Sequence, residues 1–144
     1  MGYRSDVRIV TTRKGFEELM LFSNEFLKGT GTDNLLDSLD FKAENDYQIC
    51  FGWNIIKWSE YNKSCKDVCA VMDGLKHLEE NELSYVYARI GEDYQDVEER
   101  SFGGKDEAYL TYPYLIRTFD DEYMMDDLRY ETMMHAEKDE ELER

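Results

Sequence analysis

Five carboxylates crowd one short stretch of this sequence. Glu92, Asp93, Asp96, Glu98 and Glu99 all fall within Leu83 to Gly103, LSYVYARIGEDYQDVEERSFG. Side chains of this type can ligate a hard cation or work as an acid/base pair. A calcium loop needs oxygens that alternate around a glycine-bent turn, and the order here does not follow that pattern. The stretch therefore reads as a solvated acidic hairpin, or as a docking surface for a basic partner. No metal site and no cofactor is expected.

The opposite charge is concentrated near the start. Arg4, Arg8, Arg13 and Lys14 form the one basic stretch, with only Asp6 opposing them. Strand alternation places Arg4 and Arg8 on the face shared with Asp6. Two readings stand side by side: these cations pair with surplus carboxylates of the same fold, or they line a small anionic pocket for a nucleotide-like ligand. His77 and His135 have no serine or cysteine placed locally as a nucleophile. Cys65 and Cys69 share a helix face, but no further Cys/His pair completes a zinc site, and with Cys50 they read as small buried hydrophobes in a reducing cytoplasm. Gly29-Thr30-Gly31-Thr32-Asp33 has the composition of a phosphate loop only; it leaves a helix and lacks the lysine. Trp53, Trp58 and Tyr61 have no basic groove beside them, which makes them core and rim aromatics and not a base-stacking platform.

Composition bounds the class. A chain of 144 residues with 42% hydrophobic and 14% aromatic residues can bury a real core within one domain. Its net charge of −16 opposes binding to a nucleic-acid backbone and favours basic protein surfaces. No apolar run approaches the roughly 20 residues of a spanning helix, and the N-terminus turns polar within a few residues, so a soluble, cytoplasmic protein without a membrane partner is expected.

The elements that must position these groups follow from periodicity. Val7 to Val10 forms a short strand, Gly15 is expected to break it, and Phe16 to Leu27 reads as a helix. Phe16, Leu19, Met20, Ser23, Phe26 and Leu27 recur on its inner stripe, Glu17 and Glu18 suit its start, and Lys28-Gly29 ends it. Thr32 or Asp33 caps a short turn through Asn34 to Leu39. Strands from Leu39 to Ala43 and from Tyr47 to Trp53 pair around Glu44-Asn45-Asp46, with a bulge expected at Gly52. A second helix turns Val68, Cys69, Met72, Leu75 and Leu78 inward and closes at Asn81.

The acidic hairpin comes next. Val86, Ala88 and Ile90 lie on one face of its first strand and Tyr85, Tyr87 and Arg89 on the other, with Gly91 supplying freedom in φ for the turn. A last strand is expected from Tyr109 to Thr118, bent or at an edge because of Pro113. The order predicts an α+β fold: a mostly antiparallel sheet with two helices on one face, in the ferredoxin-like style, plus extra hairpin strands. Residues 1–119 would form this domain. Residues 120–144 hold eleven acidic side chains against Arg129, Lys138 and Arg144, a net of −8, and would form an acidic C-terminal helix and frayed tail. The stripe of Met124, Met125, Met133 and Met134 would pack on its own domain or on a second subunit of a homodimer.

The opening Met1-Gly2-Tyr3-Arg4-Ser5-Asp6-Val7, the Lys57-Trp58 step and Arg89-Ile90-Gly91-Glu92-Asp93 with its acidic sequel resemble a family of small acidic proteins of bacteriophages and prophages. These markers span residues 1–118 and carry no catalytic motif. The resemblance implies a phage accessory protein expressed in a bacterial cytoplasm, where such proteins often antagonise host systems, as anti-CRISPR-like proteins do. The expected function is thus non-enzymatic: inhibition of a host protein, through an acidic surface at residues 92–99 and in the tail that occupies a basic site normally used by nucleic acid. The alternative is sequestration of a nucleotide defence signal by Arg4, Arg8, Arg13 and Lys14.

Overall fold

The first strand runs through the middle of the sheet, and everything else is arranged around it. A computed structural model describes residues 3–59, 64–106 and 108–113. Its elements are β1 (Ser5–Thr12), α1 (Arg13–Leu27), a 3-10 turn (Leu35–Asp37), β2 (Phe41–Glu44), β3 (Gln48–Ile56), α2 (Lys66–Glu80), β4 (Tyr85–Gly91) and β5 (Val97–Phe102). The five strands lie in the order β2-β3-β1-β4-β5, with every neighbouring pair antiparallel. Each helix therefore carries the chain across one intervening strand, α1 from β1 over β3 to β2, and α2 from β3 over β1 to β4. The α+β fold expected from periodicity is the fold observed.

One face of the sheet makes the core. Val7 and Ile9 of β1, Ile49, Phe51 and Trp53 of β3, and Tyr85 and Tyr87 of β4 pack with Leu19 of α1 and Val68, Val71, Leu75 and Leu78 of α2. Alternation puts these strand residues on one side, so both helices cover the same face. The tyrosine face of β4 is the inner one. Trp53 is 1% exposed, and its indole N–H donates to Leu35 O at 2.9 Å, which satisfies the one polar atom of a buried ring.

Several local expectations are corrected. Helix α1 starts two residues earlier than Gly15, because Thr12 caps it by accepting the Gly15 N–H at 3.0 Å. Arg13 and Lys14 are thereby helical, Glu17 falls beyond the first turn, and Phe26 lies outside the buried stripe. The 3-10 turn is capped by Asn34, whose carboxamide accepts from Leu36 N, and not by Thr32 or Asp33. Strand β2 begins at Phe41 rather than Leu39. In the second helix Cys69 is only partly buried, and Val71 fills the inner stripe beside Val68 and Met72.

The irregularity in β3 falls at residues 54–55, not at Gly52. Ser5 faces Ile56 and Val7 faces Trp53, so three steps on β3 oppose two on β1. Ile55 takes up the extra residue at φ +51°, with its N–H held by the Asp6 carboxylate at 2.8 Å. Gly52 answers a different need. A Cβ there would run into the Val7 carbonyl of the neighbouring strand.

Residues 108–113 are not a strand; Thr111 is tied to Gln48 by two hydrogen bonds of 2.8 and 2.9 Å. The remainder of the expected last strand, the acidic tail, its methionine stripe and His135 lie outside the described residues. The chain divides into two compact units, Met1–Tyr114 and Leu115–Arg144, and the described residues belong to the first.

Candidate binding surface

The hairpin β4–β5 pairs Arg89 with Glu98, Tyr87 with Arg100 and Ala88 with Glu99. This register sorts the five carboxylates into two groups. Asp96 and Glu98 turn towards Arg89, which is 15% exposed in its side chain. The guanidinium donates to both oxygens of Asp96 at 3.0 and 2.7 Å, to Glu98 at 3.4 Å and to the Ser5 hydroxyl at 3.1 Å. A forked, two-bond contact of this kind fixes both partners in angle as well as distance. Tyr3 adds a third tie, donating from its hydroxyl to Asp96 at 2.6 Å while accepting the Asp93 N–H at 2.9 Å.

Glu98 is held from the other side as well. Tyr87 Oη donates to it at 3.1 Å, and Arg100 Nη2 at 3.1 Å. Burial pushes its carboxyl pKa up, but the hydrogen bonds and positive charge of Arg100, with the bonds from Tyr87 and Arg89, outweigh burial and hold it below the ordinary value of 4.5. The hydrogen bonds to Asp96 raise the Arg89 pKa further above its already high value.

Glu92, Asp93 and Glu99 form the second group, and all three are exposed. Glu92 accepts the Arg4 N–H at 2.8 Å, and the Asp93 carbonyl accepts the Asp96 N–H at 2.9 Å to close the turn. Gly91 lies within β4 and is not among the residues of positive φ. It is glycine for space, because a Cβ there would meet the Asp96 carboxylate and the Tyr3 hydroxyl.

The four cations near the start do not come together. Arg4 precedes β1, and Arg13 and Lys14 open α1 past its other end, nine strand steps away or on the order of 30 Å. Arg8 faces away from the core. It donates to Val7 O, Trp53 O and Asn54 Oδ1, and its guanidinium lies 4.7 Å above the Phe41 ring. Arg13 donates to Asn45 O at 2.9 Å and pairs loosely with Glu44 at 3.8 Å.

The histidine and cysteines take structural places. His77 stacks on Phe22 with ring centroids 5.0 Å apart and lies 3.4 Å from Glu18, linking the two helices. Cys50, Cys65 and Cys69 are each partly buried. Among the described residues no group of three or more His, Cys, Asp or Glu side chains could hold a metal ion, and no helix is long and apolar enough to cross a membrane.

Sequence reasoning missed Tyr3, Arg89 and Arg100 as the groups that organise the hairpin. Alternation did place Arg89 with Tyr87, which was the available signal. A second feature has no sequence signature at all: a cleft of about 380 Å³ between α2 and the hairpin, lined by Met72, Leu75 and Tyr85 together with the charged Asp73, Lys76, Glu79 and Arg100. Comparison of the chain with protein-family models, with curated proteins and with solved structures finds no match.

Proposed function

We propose that this chain is a non-enzymatic binding protein that presents carboxylates on a braced hairpin to a basic surface of a partner protein. The observation that carries this reading is the division of labour among the five carboxylates. Asp96 and Glu98 are held inward by Arg89, while Asp93 and Glu99 stand exposed on the frame they create. Bracing before contact lowers the ordering cost of association, and a net charge of −16 draws a cationic partner in.

The resemblance to small acidic phage proteins supports a host protein as the partner. The basic surface occupied would be one that normally holds nucleic acid, in an anti-phage defence protein of the bacterial cytoplasm, and the outcome would be inhibition. The residues to reverse are Asp93 and Glu99, since reversing Glu98 would break the brace and confuse folding with binding.

The test is to isolate the partner from bacterial extract at low salt and measure its affinity across a salt series. Affinity should fall steeply with salt, Asp93→Lys with Glu99→Lys should weaken it further, and a DNA duplex should compete. An affinity indifferent to salt and to both reversals overturns the reading.

A further inference from the structure

The outer edge of β5 has a property that charge alone does not describe. Gly91 N–H donates to Asp96 O across the hairpin at 2.8 Å, and alternation along an antiparallel pair then turns Glu98, Arg100 and Phe102 to β4. The backbone groups of Glu99 and Ser101 face outward. Val97 faces outward too, but its N–H is taken by Gln95 O at 3.0 Å. Among the described residues no strand pairs with this edge.

The cleft beside α2 opens on the helix-bearing side of the same edge. Phe102 packs on the core from that side, and Arg100 lies over the Tyr87 ring. The side chains of Val97, Glu99 and Ser101 point to the other side. A strand added along β5 would thus send alternate side chains to the cleft and the intervening ones past Glu99.

We infer that β5 is a strand-addition site for an extended segment of a partner protein that alternates apolar and basic residues. Backbone pairing supplies the binding, and alternate pockets supply the choice of sequence. On the cleft side an aliphatic side chain would lie over the nearly buried Met72, Leu75 and Tyr85, between the charged Asp73, Lys76, Glu79 and Arg100, and on the other side Lys or Arg suits Glu99. A second copy is the wrong occupant: in the antiparallel register centred on Glu99 it sets Glu99 against its own equivalent, and it brings a further −16. The inference rests on the proposed function and specifies the form of its partner.

A short peptide alternating Val and Lys is the probe, with the same peptide N-methylated along one edge as its control. The full chain is titrated with each at low salt while amide exchange at Glu99 and Ser101 is followed. The unmodified peptide should slow exchange at both amides, and N-methylation should weaken binding about tenfold or more. Glu99→Pro, which removes an N–H that β4 does not use, should weaken it similarly. Equal binding of the methylated and unmethylated peptides to the unaltered chain overturns strand addition and leaves the charge-based reading intact. Failure of both peptides to bind at low salt also overturns strand addition, and the salt series with the isolated partner decides the charge-based reading separately.

Discussion

Replacing Arg89 by Met keeps the aliphatic stem and removes all four hydrogen bonds that the guanidinium makes to Asp96, Glu98 and Ser5. Asp96 keeps its bond from the Tyr3 hydroxyl, and Glu98 keeps those from Tyr87 and Arg100. The ion pairs are half-sheltered, at 15% exposure for Arg89 against 30% and 28% for its partners. Exposed pairs contribute about 0–1 kcal/mol, and stranding one member of a fully buried pair costs about 3–5 kcal/mol. The intermediate burial here sets the expected loss at about 2 kcal/mol. The assay is urea unfolding followed by the fluorescence of Trp53 and Trp58, both buried in the core. A loss of that size lowers the midpoint by roughly 1 M at a typical urea slope. Combining Arg89→Met with Asp96→Asn should recover part of it, since the double variant removes the negative charge that the guanidinium no longer balances. A loss below about 0.5 kcal/mol, with coupling to Asp96 within the additivity error of about 0.3–0.5 kcal/mol, would refute the bracing argument.

Three further outcomes are expected. Gly52→Ala should cost about 3 kcal/mol or prevent folding, because the new methyl meets the Val7 backbone carbonyl and neither central strand can yield; a urea midpoint unchanged from the parent would contradict the β1–β3 register. Ile55→Gly should instead stabilise by about 0.5–1 kcal/mol: relief of the left-handed conformation, about 1–2 kcal/mol, exceeds the entropic cost of glycine, and the side chain is 75% exposed, so little burial is lost. Glu98 has a depressed folded-state pKa, so its contribution is present above 4.5 and is lost as pH falls through the folded value. Glu98→Gln should therefore lower stability at neutral pH and flatten the acid limb, and urea titrations that still run parallel at neutral pH and at about pH 3 would exclude this role.

Much of the fold was legible in the chain because secondary structure is written in local spacing. Leu19 and Ser23 recur at the helical period, and Tyr85, Tyr87 and Arg89 alternate as strand residues do, whatever the distant chain is doing. The boundaries were less legible where one residue type serves two ends. Gly15 reads as a strand breaker, yet the Thr12 cap precedes it and the helix runs straight through. Gly52 and Gly91 read as bends, yet each is glycine because another strand or side chain comes too close for a Cβ.

The candidate site divides the same way. The sequence by itself determined the acidic hairpin, the α+β class and the net negative charge on which the proposed basic partner rests, since composition and alternation do not depend on what packs where. Only the tertiary structure decided which carboxylates are structural and which are presented. Asp96 and Glu98 belong to Arg89 because the β4–β5 register and the arrival of Tyr3 close a network across residues far apart in sequence. The same physics separated the basic cluster: Arg4, Arg8, Arg13 and Lys14 are neighbours along the chain, but an extended strand spends about 3.3 Å on every residue and carries its two ends apart.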